Sequence, residues 1–194
     1  MNKKTKALIF NYLIIVLEIY ALIAITREQG YLPIEYYTVD SNIFALITSL
    51  LFVIFHKKNY TWVIDLKYIS TVCLTVTFLV VIFILTPFAN FRYYDFMLKG
   101  VLLYHHTLCP IFAILTYMLY EKRSTKTPLC LVFTIIYTIV LVILNLMDKI
   151  VGPYFFLMVK QNSIPKTIFW VIIIYSLNYL IGLFLTKFKN KAEG

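Results

Sequence analysis

Six apolar runs, each long enough to cross a bilayer and separated by short polar segments, account for most of this chain. A bilayer's hydrocarbon core needs roughly 20 apolar residues of helix to span it. The runs fall at about residues 7–26, 38–56, 66–86, 97–120, 129–147 and 168–186. They predict an all-α, polytopic membrane protein: a single domain of six transmembrane helices. With 61% hydrophobic and 14% charged residues, a water-soluble fold would lack the polar surface to stay dispersed.

The net charge of +9 would suggest nucleic acid in a soluble protein, but here its distribution reports topology. One set of segments carries Lys3, Lys4 and Lys6; Lys57, Lys58 and Lys67; Lys122, Arg123 and Lys126; and Lys187, Lys189 and Lys191. The opposite set carries Arg27, Arg92, Lys99, Lys149, Lys160 and Lys166. Twelve against six is what the positive-inside rule predicts for six spans with both termini cytoplasmic. Anionic membrane lipid is the natural partner of such basic clusters. No basic, aromatic-interleaved groove argues for nucleic acid. Heavy use of Ile, Lys, Asn, Phe and Tyr hints at an AT-rich bacterial genome, hence a bacterial cytoplasmic membrane. Oligomeric state is not legible.

Lys3, Lys4 and Lys6 ahead of a full-length apolar run, with no small-residue cleavage site, read as a retained signal anchor. Cys73, Cys109 and Cys130 all fall within runs, so small buried apolar roles are expected and no disulfide. The longest connection, residues 148–167, contains IVGPYFFLMV, too short to span and broken by Gly152 and Pro153. It predicts an interfacial or re-entrant hairpin on the outer side, with Tyr154, Phe155 and Phe156 at headgroup level. Residues 90–99, with Phe91, Tyr93, Tyr94 and Phe96, are similarly aromatic.

A charge near the bilayer centre costs on the order of 2.5–3.5 kcal/mol, so the few polar residues within the runs carry the functional argument. Glu18 sits about 3 Å beyond the midplane of the first run. It reads either as a protonated or paired structural carboxyl, or as an orienting or proton-accepting group beside a histidine. His105 and His106 lie at similar depth in the fourth run, and about 100° apart on an ideal helix at most one faces a given cavity. Pro110 removes the hydrogen bond to the carbonyl of His106, so a kink can open a pocket here. His105 and Cys109 have i, i+4 spacing, but no third or fourth ligand accompanies them, and no metal or other cofactor is expected. Haem would need further histidines within the runs, and His56 lies at the inner boundary.

The start of the second run holds Tyr37, Thr38, Asp40, Ser41 and Asn42. Thr38, Asp40 or Ser41 can cap a helix there. Alternatively, Thr38 or Ser41 is a nucleophile activated by a histidine of the fourth run. Asn145 and Asp148 at the outer end of the fifth run, and Asn178 at mid-depth in the sixth, complete the polar inventory.

The segments Tyr36-Tyr37-Thr38-Val39-Asp40-Ser41-Asn42, His105-His106-Thr107-Leu108-Cys109-Pro110 and Gly152-Pro153-Tyr154-Phe155-Phe156-Leu157 resemble motifs of the androgen-induced membrane protein family, its bacterial branch included. Their order relative to six spans also resembles that family over nearly the whole chain. Animal members are multipass threonine hydrolases that cleave fatty acid esters of hydroxy fatty acids with an intramembrane Thr and His and no metal. The resemblance implies Thr38 as nucleophile and a histidine of the pair as base, His105 in preference to His106. Ser41, about one turn deeper, is the rival nucleophile. Asn42 or a backbone amide at the start of the second helix would then stabilise the oxyanion. The alternative class is a non-enzymatic lipid- or partner-binding protein, or a small proton-linked transporter using Glu18, His105 and Asn178.

Overall fold

The computed structural model describes residues 2–58, 60–88, 92–122, 124 and 126–193, with side chains described through residue 189. Arg123, Asn90 and Phe91 therefore lie outside the described residues, as does the side chain of Lys191. Among the described residues six helices are long and apolar enough to cross a membrane: α1 (Lys3–Gln29), α2 (Tyr37–Phe55), α3 (Thr61–Phe88), α5 (Gly100–Leu119), α6 (Thr127–Leu146) and α7 (Ile164–Glu193), with a short α4 (Tyr93–Met97) before α5. Several start or stop several residues away from the apolar runs, because backbone hydrogen bonding continues through polar side chains at a helix end.

Local chemistry explains the boundaries. Asn2 caps α1 by accepting from the Thr5 amide at 2.8 Å, and Gly30 ends it at φ 77°, a conformation that favours glycine. The expected capping of α2 by Thr38, Asp40 or Ser41 does not occur. The helix starts at Tyr37, so all three lie inside it; extended Tyr36 holds the cap position without a side-chain cap bond. Two π turns widen the bundle, at Val81–Leu85 in α3 and Tyr104–Leu108 in α5. Each lies just ahead of a proline, Pro87 or Pro110, whose missing N–H leaves a carbonyl in that turn without its α-helical donor.

Helix α3 is the axis of the bundle. Its apolar window is 72% buried, against 28–44% in the other five helices, and it packs against α2, α5, α6 and α7. Small and hydroxylic residues allow this close approach: Ser70, Thr71, Cys73 and Thr77 are all buried. On α7, Gly182 has the same role. A β-carbon there would lie 2.5 Å from the Tyr68 hydroxyl, 2.8 Å from Cys130 Sγ and 3.0 Å from Cys130 Cβ. Cys73, Cys109 and Cys130 are free and buried.

Polar contacts join the helices in pairs. Tyr37 Oη and Thr134 Oγ1 are 2.8 Å apart, Asn178 donates to Thr134 Oγ1 at 2.5 Å, and Thr48 donates to Ser70 at 2.8 Å. Asn178 thus belongs to the α2–α6–α7 side and not to a cluster with Glu18 and His105, because Thr134 faces it across the α6–α7 contact.

The start of α1 and the ends of α2 and α5 meet at one end of the bundle, where Lys4, His56 and Lys122 line a cleft. Thr127 and Thr186 hydroxyls bring α6 and α7 to that same end, 3.2 Å apart. Two of its lysines are not loop charges, as the charge count had them. Lys67 is a buried residue of α3, and Lys189 is a buried residue of α7 whose Nζ donates to the Tyr117 carbonyl and sits 4.3 Å above the Tyr117 ring. Both are drawn inside because each finds a fixed partner there.

At the opposite end the connection between α6 and α7 turns inward. Asn145 donates to the carbonyls of Ile150 and Val151 at 3.2 and 2.7 Å, and Asp148 pairs with Lys160 at 2.5 Å. Tyr154, Phe156 and Leu157 are buried against the bundle, with the Trp170 ring 5.6–5.7 Å from those of Phe155 and Phe156. Tyr93 and Tyr94 of α4 remain exposed.

Candidate functional site

The π turn of α5 determines where the two histidines point. Inserting an extra residue per turn rotates successive side chains away from the ideal 100° step, and both His105 and His106 line one cavity instead of dividing between cavity and core. The turn is fastened to α4. His106 Nδ1 lies 2.7 Å from the Phe96 carbonyl, and Thr107 Oγ1 donates to the Met97 carbonyl at 2.6 Å. A carbonyl only accepts, so Nδ1 of His106 carries the proton and the lone pair of the neutral ring is on Nε2. His105 is fully buried, and neither of its ring nitrogens has a hydrogen-bond partner.

The cavity encloses about 490 Å³. Thr38, at the start of α2, reaches it from the other side, together with Tyr36 and Tyr154. The rest of the wall is largely apolar, from Ile25, Leu85, Leu102, Phe155 and Met158. The Tyr154 hydroxyl lies against the Thr38 hydroxyl and the backbone amides of Tyr37 and Thr38, at the otherwise uncapped start of the helix. Burial pushes this phenol up to about 12 even though those donors favour its ionised form. A helix N-terminus with its amides turned toward a cavity is an electropositive surface for a developing anion.

The remaining predicted site residues fall elsewhere. Ser41 is buried with its hydroxyl 3.0 Å from Thr77 Oγ1 and donating to the Thr38 carbonyl at 3.0 Å, and it lines no part of the cavity. Asn42 donates to the carbonyls of Thr38 (2.7 Å) and His105 (3.4 Å). Its amide group is thereby committed to tying α2 to the π turn. Glu18 does not stand beside a histidine: its carboxyl faces the Cys109 thiol, one step below the π turn. Among the described residues no three His, Cys, Asp or Glu side chains gather as metal ligands would.

Sequence reasoning missed Tyr154 and the Phe96 carbonyl. The Gly152-Pro153 break marked the turn that carries Tyr154, but nothing local reveals that the loop folds back onto α2. Comparisons with protein-family models, with curated proteins and with solved structures find no match to this chain.

Proposed function

We propose that this chain is a membrane-embedded lipid-ester hydrolase with Thr38 as nucleophile and His106 as general base. One observation carries the reading: a single, mainly apolar cavity of about 490 Å³ is lined by Thr38, both histidines and Tyr154, at the electropositive start of α2. The resemblance of the Thr38, His105-His106 and Gly152-Pro153 segments to threonine hydrolases points the same way. His106 replaces His105 as the favoured base, because the Phe96 carbonyl fixes its tautomer with Nε2 free to accept a proton.

In this mechanism His106 Nε2 takes the Thr38 proton while Oγ1 attacks the ester carbonyl carbon. The amides at the start of α2 and the Tyr154 hydroxyl face the resulting oxyanion. Collapse breaks the ester C–O bond, and the departing alcohol takes the proton from His106. Water then attacks the acyl-threonine with the same base, releasing the fatty acid and restoring Thr38. Asn42 is a positioning residue that holds the nucleophile's helix against the histidine turn. With the basic termini in the cytosol, the cavity faces the outer half of the membrane, and acyl chains enter sideways from lipid.

Fluorophosphonate labelling of membranes tests this. Wild type and Ser41→Ala are expected to label, Thr38→Ala not at all, and His106→Ala at a rate lower by roughly 10²–10⁴. Unlabelled wild type beside a reactive control hydrolase, or full labelling of Thr38→Ala, refutes the hydrolase. The cavity would then serve lipid or partner binding without turnover.

A further inference from the structure

A second set of buried polar groups lies nearer the end of the bundle that carries the termini. Lys67 of α3 is 2% exposed; its Nζ lies 3.6 Å from Glu121 Oε1 and donates to Ser49 Oγ on α2 at 3.1 Å. Asn11 of α1 donates to the same Glu121 oxygen at 2.7 Å, whereas Glu121 Oε2 has no hydrogen-bond partner. Glu121 also lines the cleft between Lys4, His56, Tyr60 and Lys122, which gives it a route to the solvent on that side. Glu18 stands two turns beyond Asn11 on α1, about 10 Å deeper. It is fully buried, its oxygens have no N–H or O–H donor among the described residues, and its polar neighbours there are the Cys109 thiol of α5 and, at longer range, Lys67.

One ammonium therefore faces two carboxylates. Fully ionised, the three groups carry a net negative charge in the interior of an apolar bundle. Burying an unpaired charge is far costlier than burying a neutral acid or an ion pair. Adding a single proton makes the set neutral. Of the two carboxylates, Glu18 is the one without a donor or a close cation, and it holds the proton at rest.

We propose that Glu121, Lys67 and Glu18 form an intramembrane proton-binding site that exchanges with the solvent at the basic end. A proton arriving through the cleft binds Glu121; Lys67 then swings its ammonium from Glu121 toward Glu18, leaves one of its own protons there and returns to recover one from Glu121. The end state is a Glu121 carboxylate, a Lys67 ammonium and a Glu18 carboxylic acid, with one proton gained. Neither Glu18 nor Lys67 lines the cavity that holds Thr38, so this site stands apart from the hydrolase reading.

The test is infrared spectroscopy of the full chain in lipid nanodiscs at neutral pH. Wild type is expected to show the carbonyl stretch of a protonated carboxyl, lost in Glu18→Gln and shifted on transfer to deuterium oxide. Glu121→Gln is expected to abolish the fast phase of that deuteration, and Lys67→Gln, by removing the cation, to add a second acid band. Wild type without an acid band, or a band that survives Glu18→Gln, overturns the proposal. Deuteration unchanged by Glu121→Gln overturns the access route. Should Glu18→Gln fail to insert, Glu18→Asp must change the band frequency, and an unchanged band refutes the assignment.

Discussion

Replacing Gly182 with alanine probes the closest helix approach in the bundle. The added methyl carbon would sit 2.5 Å from Tyr68 Oη and 2.8 Å from Cys130 Sγ, with both side chains fully buried. Ordinary contact between such atoms begins near 3.5 Å, so α7 must retreat by about 1 Å or Tyr68 must move. Retreat loosens Ile181 and Leu185 from the core; moving Tyr68 breaks its 2.9 Å bond to the Thr127 carbonyl. Overpacking costs about 1–3 kcal/mol, and where Tyr68 is what moves its hydrogen bond adds about 0.5–1.5 kcal/mol, so about 1–4.5 kcal/mol is expected. In detergent, thermal unfolding of Gly182→Ala should come about 2–18 °C below wild type. Tyr68→Phe removes the nearest atom and should recover part of that loss in the Gly182→Ala background while destabilising the wild-type background. A Gly182→Ala protein that melts with wild type, or strict additivity with Tyr68→Phe, would refute the packing argument.

Two further outcomes follow from particular contacts. Because burial raises the Tyr154 phenol from its usual value near 10 to about 12, the folded state keeps a proton that the unfolded chain releases. The stability this provides is fully present below about pH 10 and is lost as pH climbs toward 12. The loss is on the order of 2–3 kcal/mol, and in a denaturant series over this pH range wild type should lose about that much more stability than Tyr154→Phe, which keeps the other buried tyrosines. Thr134→Val leaves both Tyr37 and Asn178 without their shared partner, so it should cost more than Asn178→Leu, each in the range of about 0.6–2 kcal/mol. Equal losses in a double-mutant cycle would show that Tyr37 does not depend on Thr134.

Hydropathy alone located all six long helices, because an apolar run of about 20 residues has few other uses. The pairing of Thr38 with the histidines was legible only through the motif resemblance, since helical rise sets Thr38 several Å shallower than His105, and Pro110 marked the widened turn. That His105 and His106 both line one cavity was not legible. It depends on a π turn whose extra residue changes the facing of everything after it. Lys67 was misassigned for a related reason. Counting it with the boundary charges presumed a span that began one residue earlier, at Leu66, whereas the helix starts at Thr61 and carries the lysine more than one and a half turns inward. Its partner Glu121 lies 54 residues away in sequence, and only tertiary packing brings them together. The hairpin's inward fold is equally nonlocal, since Trp170 and the start of α2 supply the surface it covers.

The hydroxyls of α3 bear on how the protein is made. During synthesis this helix emerges before α5, α6 and α7, the neighbours that will later enclose it, and a helix of this apolarity inserted ahead of them would meet lipid. Thr71 already donates to the Lys67 carbonyl at 2.8 Å, Thr75 to the Thr71 carbonyl at 2.7 Å and Thr86 to the Val81 carbonyl at 2.7 Å. Each of these bonds lies within the helix itself, so no hydroxyl among them waits for a later partner. Helix α3 can therefore rest in the bilayer as a self-contained element and still present a narrow, small-residue surface when the second half of the chain arrives. Lys67 and Tyr68 on this helix do wait for later partners, Glu121 and the Thr127 carbonyl. Near the end that α3 shares with the basic cluster, Lys67 can reach toward the headgroups until Glu121 is synthesised, and burying it marks the joining of the two halves.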